Sequence, residues 1–491
     1  MQLRDYQELA IEAVRDSYRA GHRRTLLVSP TGSGKTVIFS YVAAGVAKNG
    51  KRVLIIAHRR ELLKQISAAL TKAGVKHSML VSTSRGIPTR NVVVASVFTL
   101  ANRLKHFPAP DLIVGDEAHH FTPDSSWGKV VSAFPKALVL GVTATPERLD
   151  GKGLGSLFDD MVLGPTVAEL TEQEYLSPAD VYAPSRPDMS GIHTRMGDYV
   201  KSELEQAMDK PSITGSAVAH YSKLTPGKKA IAFCVSVKHA RDVAEDFRRA
   251  GYAAFHIDGG MKEAERDQVL KDFESGKIQV LTSCDLVSEG FDLPAVEVAI
   301  LLRPTQSLSL YLQQCGRAIR PSPGKEKTYI FDHAGNTARH GFIDEPRDWT
   351  LNGDIIKKRR AEAKEKPADI RTCPECFAMH PPTPACQKCG HIYKVKSRKI
   401  QHIDGELVQL SHAGEAKAAM EERDWKRRFD VLTAVGRKRG YKQPKQWAFN
   451  VICGQEATRL AKSRNANRTT NGLTAEERQR IWTLTMGKNA A

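Results

Sequence analysis

The chain has 491 residues, enough for two or three domains with cores of their own, and its 41% hydrophobic and 26% charged content is the balance expected of a soluble globular protein. No apolar run approaches the roughly 20 residues that a membrane-spanning helix needs, and the charged, amphipathic start MQLRDYQELAIEAVRD is unlike a secretion signal. A cytoplasmic protein without a membrane partner is expected. The net charge of +18 is uneven: residues 351–491 hold 29 Lys and Arg against 15 Asp and Glu, a net +14, and residues 1–350 carry only +4. A basic end of this kind fits a polyanion such as nucleic acid, or serves as a solubilising tail.

In chain order, TLLVSP (25–30), RVLIIAH (52–58), NVVVAS (91–96), DLIVGDEAH (111–119) and ALVLGVTAT (137–145) read as buried strands, each followed by a helical pattern or a turn. That rhythm predicts a parallel sheet with helices on both faces over residues 1–170. After an irregular stretch it returns in KAIAFCVS (229–236), AAFHID (253–258), IQVLTSC (278–284), VEVAILLRP (296–304) and KTYIFD (327–332), with helices such as VKHARDVAEDFRRAG (237–251) between. A second α/β lobe over 171–345 is therefore expected, joined to the first near 165–180. Beyond it, 346–369 reads as a charged linker, 370–393 as a zinc-binding module and 394–491 as a basic, mostly helical segment. In that last segment Trp425, Phe429, Tyr441 and Trp447 are interleaved with cations. Such a mixture can stack bases while neutralising phosphates, or form a small helical core with a basic solvated face.

The stretch SPTGSGKT (29–36) lies between a strand and an amphipathic helix, the context a phosphate-binding loop requires. Within Thr31, Gly32, Ser33 and Gly34 the two glycines permit bends that aim backbone N–H groups at phosphate oxygens. Lys35 then places its ammonium on the β- and γ-phosphates, and the Thr36 hydroxyl ligates Mg²⁺. Ser29 stands where the strict pattern has glycine. LIVGDEAHH supplies a second strand end, with Asp116 to hold Mg²⁺ and Glu117 to orient and deprotonate an attacking water. ATP and Mg²⁺ are the expected cofactors.

Half of the eight cysteines form Cys373-x₂-Cys376 and Cys386-x₂-Cys389, which can deliver four thiolates to one tetrahedral Zn²⁺, with Gly390 suiting the tight turn after the second pair. Four thiolates leave no open position for a catalytic water, so the zinc is expected to be structural, with His380 and His391 as bystanders. Cys234, Cys284, Cys315 and Cys453 show no pairing pattern and read as buried apolar residues.

Taken together, the motifs of residues 3 to about 335 resemble those of a superfamily 2 helicase, which implies two tandem RecA-like parallel-sheet lobes. LRDYQ (3–7) resembles the adenine-reading Q motif, implying Gln7 as base reader with Arg4 beside it. AHRREL (57–62) and ASVFTL (95–100) resemble strand-contacting motifs, and TATP (143–146) the motif that couples hydrolysis to movement. SEGFDLP (288–294) and QQCGRAIRP (313–321) complete the set. The resemblance implies Arg317 and Arg320 as arginine fingers with Gln313 in the same catalytic motif, and Gly290 and Asp292 at the nucleotide. It implies His58, Arg59, Ser96, Thr99, Thr282 and Asp292 at the nucleic acid, and His119, Thr143 and Thr145 in coupling. The motif combination is most similar to the XPB and RadD-like, phage-type branch. This implies an ATP-dependent helicase or translocase, with DNA favoured over RNA, serving repair, recombination or replication. An RNA helicase, a nucleic-acid-binding ATPase switch and the motor subunit of a restriction-type complex are the other readings.

Overall fold

Aliphatic and β-branched runs without polar alternation suit strands buried on both faces, and such runs build the first sheet. In the computed structural model, which describes residues 2–148, 153–183, 198–208, 211–284, 296–353 and 370–393 with shorter pieces within 189–195 and 429–452, that sheet has seven strands. They are β1 (Arg24–Val28), β2 (Val53–Ala57), β3 (Ser78–Leu80), β4 (Val92–Ser96), β5 (Leu112–Asp116), β6 (Leu138–Thr143) and β7 (Asp160–Leu163), ordered β3-β4-β2-β5-β6-β1-β7. Every ladder is parallel. Successive residues face opposite cores: Leu26 and Ile56 pack with Phe121, Trp127 and Phe158, whereas Leu27 and Ile55 pack under the helices carrying Ile11, Phe39 and Leu63. Each such buried side chain contributes about 1.5–3 kcal/mol. Gly115 and Gly141 are register partners, and a Cβ on either would strike the Phe121 or Phe158 ring.

A second six-stranded parallel sheet follows. Its strands are β8 (Ala179–Tyr182) and, after a small hairpin of β9 (Thr194–Arg195) and β10 (Asp198–Tyr199), β11 (Ala230–Phe233), β12 (Ala254–Ile257), β13 (Val280–Ser283), β14 (Val298–Leu301) and β15 (Thr328–Asp332). Their order is β12-β13-β11-β14-β15-β8. Strands β3, β7 and β8 were not legible as apolar runs: they lie at or next to sheet edges, are three or four residues long and are only partly buried.

The chain then crosses back. Ile343 belongs to the second core, while Trp349 and Leu351 pack against Leu154, Leu157 and Phe158 of the first. Gly155 donates its N–H to the Leu351 carbonyl at 3.1 Å, and a Cβ at Gly153 would collide with that same carbonyl. The opening of the expected charged linker is therefore a strap over both lobes, and residues 354–369 lie outside the described residues.

The cysteine segment, with antiparallel β16 (Arg371–Thr372) and β17 (Met379–His380), docks on edge strand β8. Ala183 donates to the Phe377 carbonyl at 3.0 Å, Tyr182 bridges Ala378, and Asp180 takes both Lys327 and Lys388. An edge that would otherwise offer unpaired backbone groups is thus capped. Residues 396–491 form a separate unit, in which Phe429, Ala448 and Ile452 are buried. Trp425, Tyr441 and Cys453 lie outside the described residues.

Candidate active site

Parallel strands place their carboxyl ends on one side, and the register brings three turns together there. Val28 pairs with Thr143 and Asp116 with Val142, and the Ser29 N–H donates to the Thr143 carbonyl at 2.9 Å. The loop after β1 bends at Gly32 (φ +89°) and Gly34 (φ +77°), both left-handed, and Gly34 caps the helix Lys35–Lys48. Ser29, the departure from the strict pattern, has a use: its hydroxyl donates to Ser33 Oγ at 2.7 Å and closes the loop on itself.

Gln7 reaches the phosphate loop from the first helix. Its Nε2 donates to the Ser33 carbonyl (3.2 Å) and its Oε1 accepts the Arg4 N–H (3.1 Å), so both ends of the buried amide hold backbone. Tyr6 donates to the same Ser33 carbonyl at 2.8 Å. Gln7 and Tyr6 therefore brace the loop from the first helix. The Arg4 guanidinium lies 4.4 Å from the centre of the Tyr175 ring. Tyr175 comes from the connection between lobes and carries no motif that sequence could have flagged.

Lys35 Nζ donates to the Ser29 and Pro30 carbonyls at 3.1 and 3.2 Å. Burial pushes its ammonium down from the ordinary lysine range, and the carboxylates of Glu117 and Asp116 act in the opposite direction. Glu117 adopts φ +53°, a left-handed conformation that costs a non-glycine residue about 1–2 kcal/mol, and both carboxylates are buried.

From the second lobe, the helix Leu308–Ala318 and the turn after it bring Arg317 and Arg320 to the same cleft. The cleft of ≈ 300 Å³ is lined by Arg4, Thr31, Gly32, Gly34, Lys35, Thr36, Asp116, Glu117, Tyr175, Arg317 and Arg320 among others. Four cations against two carboxylates suit a polyanion. The approach of the lobes is close: a Cβ at Gly316 would lie 2.5 Å from Thr31 Cβ, and one at Gly32 3.5 Å from Arg320 Cγ. Gln313 is buried on that helix, does not line the cleft, and its amide nitrogen pairs with none of the described residues.

A line of polar contacts leaves Glu117 for the second lobe. Glu117 Oε2 lies 3.4 Å from His119 Nδ1, which lies 3.1 Å from Thr143 Oγ1. Thr143 donates to the Thr145 carbonyl (2.8 Å), and the Thr145 hydroxyl donates to Ser309 Oγ (2.7 Å) across the lobe boundary. Ser309, which sequence reasoning missed, begins the helix that bears Arg317. Ion pairs also bridge the lobes: Glu61 with Arg266 at 2.6 Å, and Glu263 with Lys64 and, at 3.8 Å, Arg60.

His58 and Arg59 follow β2, Ser96 ends β4 and Thr99 follows it, so all four share the carboxyl side of the first sheet. The His58 ring packs on His120 (4.8 Å), and Arg59 Nε donates to His58 Nε2 at 3.3 Å. Phe98, between Ser96 and Thr99, is 56% exposed. Thr282 requires correction. It is fully buried within β13, and its hydroxyl donates to the Ala240 carbonyl at 2.6 Å, so it has no face toward a nucleic-acid strand. Gly290 and Asp292 lie outside the described residues.

The four cysteine sulfurs of the docked module lie within 4.8 Å of one another, with Cys373–Cys389 and Cys376–Cys386 each at 3.6 Å. Zn–S bonds of about 2.3 Å in a tetrahedron put sulfurs about 3.8 Å apart, so the four residues fit that metal. Burial pushes the Cys373 thiol up, but the N–H groups of Cys376 and Glu375, with Cys389, outweigh it and bring it down to about 6. Phe377 and Gly390, each just after a cysteine pair, both have positive φ (59° and 76°), so the first knuckle makes the turn of the second without glycine. His380 is occupied otherwise, with Nε2 at 2.8 Å from the Tyr393 hydroxyl. Of the remaining cysteines, Cys234 and Cys315 are buried, whereas Cys284 is only half-buried and donates to the Val235 carbonyl.

Comparison with known proteins bears on this arrangement. The family described as "Type III restriction enzyme, res subunit" matches residues 1–148, and "Helicase conserved C-terminal domain" matches 214–322. A 51.5 kDa protein of a Lactococcus phage is 33% identical, over 82% of this chain and 87% of its own. A Saccharomyces cerevisiae protein named as the ATP-dependent helicase IRC3 is 30% identical over 72% of this chain, which spans only 54% of that protein. A solved fragment assigned to the HsdR subunit of a type I restriction enzyme from Vibrio vulnificus shares the fold, with a TM-score of 0.56 at 22% identity over 69% of this chain and 65% of the fragment.

Proposed function

We propose that this chain, which belongs to the superfamily 2 helicases and hydrolyses ATP, is a DNA-directed helicase or translocase of the XPB and RadD-like branch. The observation that carries the assignment is the shared cleft, where the loop and carboxylates of one lobe face two arginines of the other.

In this reading Lys35 and the loop N–H groups bind the β- and γ-phosphates. Thr36 and Asp116 would hold Mg²⁺, which neutralises phosphate charge when bound. Glu117 accepts a proton from the attacking water. Arg317 and Arg320 stabilise charge on the transferring phosphoryl group, a contribution worth roughly 10³–10⁵ in rate. Because the fingers and the loop sit on different lobes, chemistry requires closure, and release of products permits opening. The contacts from Glu117 through His119, Thr143 and Thr145 to Ser309 support a coupling role for those residues. Arg4 and Tyr175 flank the adenine, and Gln7 serves it by shaping the loop.

The track runs over the carboxyl side of the first sheet, where His58, Arg59, Ser96 and Thr99 contact backbone and Phe98 is available to a base. The DNA reading is supported by the motif combination LRDYQ, DEAH and QQCGRAIRP and by the restriction-enzyme family matching the first lobe. The four cysteines would hold a structural zinc, and the basic segment 394–491 adds electrostatic affinity.

The test is ATP turnover measured with single-stranded, duplex and forked DNA and with RNA, using Glu117→Gln as the inactive control. Stimulation by DNA above RNA is expected, falling with salt. Stronger stimulation by RNA would replace the track, and turnover undiminished in the Glu117→Gln protein would remove the assignment of the site.

A further inference from the structure

The turn that carries Arg320 ends a helix, and helix ends leave backbone carbonyls without intrahelical partners. Here those carbonyls are pinned one after another. The Ala318 carbonyl accepts the Thr328 hydroxyl at 2.9 Å and also Lys325 Nζ. The Ile319 carbonyl accepts the Ser177 N–H at 2.8 Å. The Arg320 carbonyl accepts Lys325 Nζ at 2.7 Å, and the same ammonium reaches the Val296 carbonyl at 2.8 Å, just before β14. An ammonium has three N–H donors, and this one meets three carbonyls.

The local sequence aims Lys325 there. Ser322-Pro323-Gly324-Lys325 is a tight turn closed by the Lys325 N–H on the Ser322 carbonyl (3.1 Å), with Gly324 at φ +77°, a Pro-Gly turn that returns the chain beneath the helix end. The position is unfavourable for a cation. Burial and the neighbouring Arg320 charge push Lys325 down to about 8, against the pull of Glu297. A lysine held at such cost, beside another cation and with its donors spent on tying the arginine turn to the approach to β14, is better explained by the geometry it imposes than by fold stability alone.

We infer that Lys325 is a positioning residue for catalysis: it fixes the backbone of Ala318–Arg320 against the β14 approach, so that Arg317 and Arg320 meet the γ-phosphate without a search. The inference rests on the assignment of those arginines to the transferring phosphate. It follows that Lys325 acts on the chemical step and not on ATP affinity, because Lys325 itself does not line the cleft and its ammonium is spent on backbone carbonyls. A displacement of about 1 Å at a reacting group costs on the order of 10²-fold.

The experiment uses the full chain with saturating nucleic acid. Lys325→Met should lower kcat on the order of 10- to 100-fold while KM for ATP stays within about twofold, and it should cost less in the Arg320→Ala background, where only Arg317 is left to position, than in the unaltered protein. Lys325→Gln, which keeps two N–H donors, should fall between, and it is the variant to read should Lys325→Met fail to fold. A kcat unchanged in either variant, a rise in KM equal to the loss of kcat, or losses that multiply in the double variant with Arg320→Ala would each overturn the inference. Absence of nucleic-acid-stimulated turnover in the unaltered protein would instead strike the functional assignment itself, so the two failures are distinct.

Discussion

Ser309→Ala isolates the contact between the lobes. The Thr145 hydroxyl is buried, and its partner across the boundary is Ser309 Oγ at 2.7 Å. Removing the acceptor leaves a buried donor unsatisfied, a loss of about 1–3 kcal/mol. That loss exists only when the lobes are closed, because in an open cleft the Thr145 hydroxyl is free to meet water. The closed population should therefore fall by roughly 5- to 150-fold relative to the open one. The fold of each lobe should not suffer, since alanine in the helix Leu308–Ala318 is favoured over serine by a few tenths of a kcal/mol. The expected result is a nucleic-acid-stimulated kcat reduced at least about fivefold, with binding of a fluorescent ATP analogue to the first lobe within about twofold and no fall in melting temperature. An unchanged kcat would refute the reasoning. So would equal losses of nucleotide binding and turnover, which would mean that Ser309 shapes the pocket and does not couple the lobes.

Gly316→Ala tests closure by volume: with its new Cβ 2.5 Å from Thr31 Cβ, the variant should keep or gain helix stability by about 1 kcal/mol yet lose turnover on the order of 10- to 100-fold. Purified protein should contain one zinc per chain, lost in Cys373→Ser together with several degrees of melting temperature, because the β8 edge loses its cap; a metal-free protein whose four thiols react freely in the folded state would rule out the site. His333 gives a pH test. Burial, and then the neighbouring His220, push its pKa down to about 3 from the ordinary 6.5. Between those values the unfolded chain binds the extra proton, so the contribution is complete above about pH 6.5 and is lost as pH falls toward 3, at about 1.4 kcal/mol per pH unit. His333→Phe should flatten the fall of melting temperature between pH 6.5 and 5, and a parallel fall in both proteins would show that other groups dominate.

Much of this protein was legible before folding because its signals are local. A strand buried on both faces must be a continuous apolar run, which is why β1, β2, β4, β5 and β6 could be read from sequence, as could β11, β13, β14 and β15, whereas β12, at a sheet edge and partly buried, was read from the recurring rhythm. A phosphate loop must have glycines at its bends, and Gly32 and Gly34 carry the positive φ values that their spacing foretold. Two CxxC pairs at short separation place four sulfurs together almost regardless of what surrounds them. The edge strands β3, β7 and β8 escaped, since partial exposure removes the apolar run that betrays a strand.

Other features belong to the tertiary structure alone, because they depend on residues far apart in the chain or on which way a side chain is spent. Motif position suggested a base-reading role for Gln7 and could not show that folding gives both ends of its amide to backbone carbonyl and N–H groups, or that it turns the Thr282 hydroxyl inward to Ala240. Tyr175, Ser309 and Lys325 carry no motif of their own, and Gly316 shows no role beyond its place in QQCGRAIRP: each matters through what the fold sets opposite it, Arg4, Thr145, the carbonyls of the arginine turn and Thr31. The sequence by itself determined the chemistry of the parts, since a residue's charge, ligand type and backbone freedom are its own. Only the folded chain decided their mutual positions, because a hydrogen bond or a steric contact between residues more than a hundred positions apart exists only once both lobes are built.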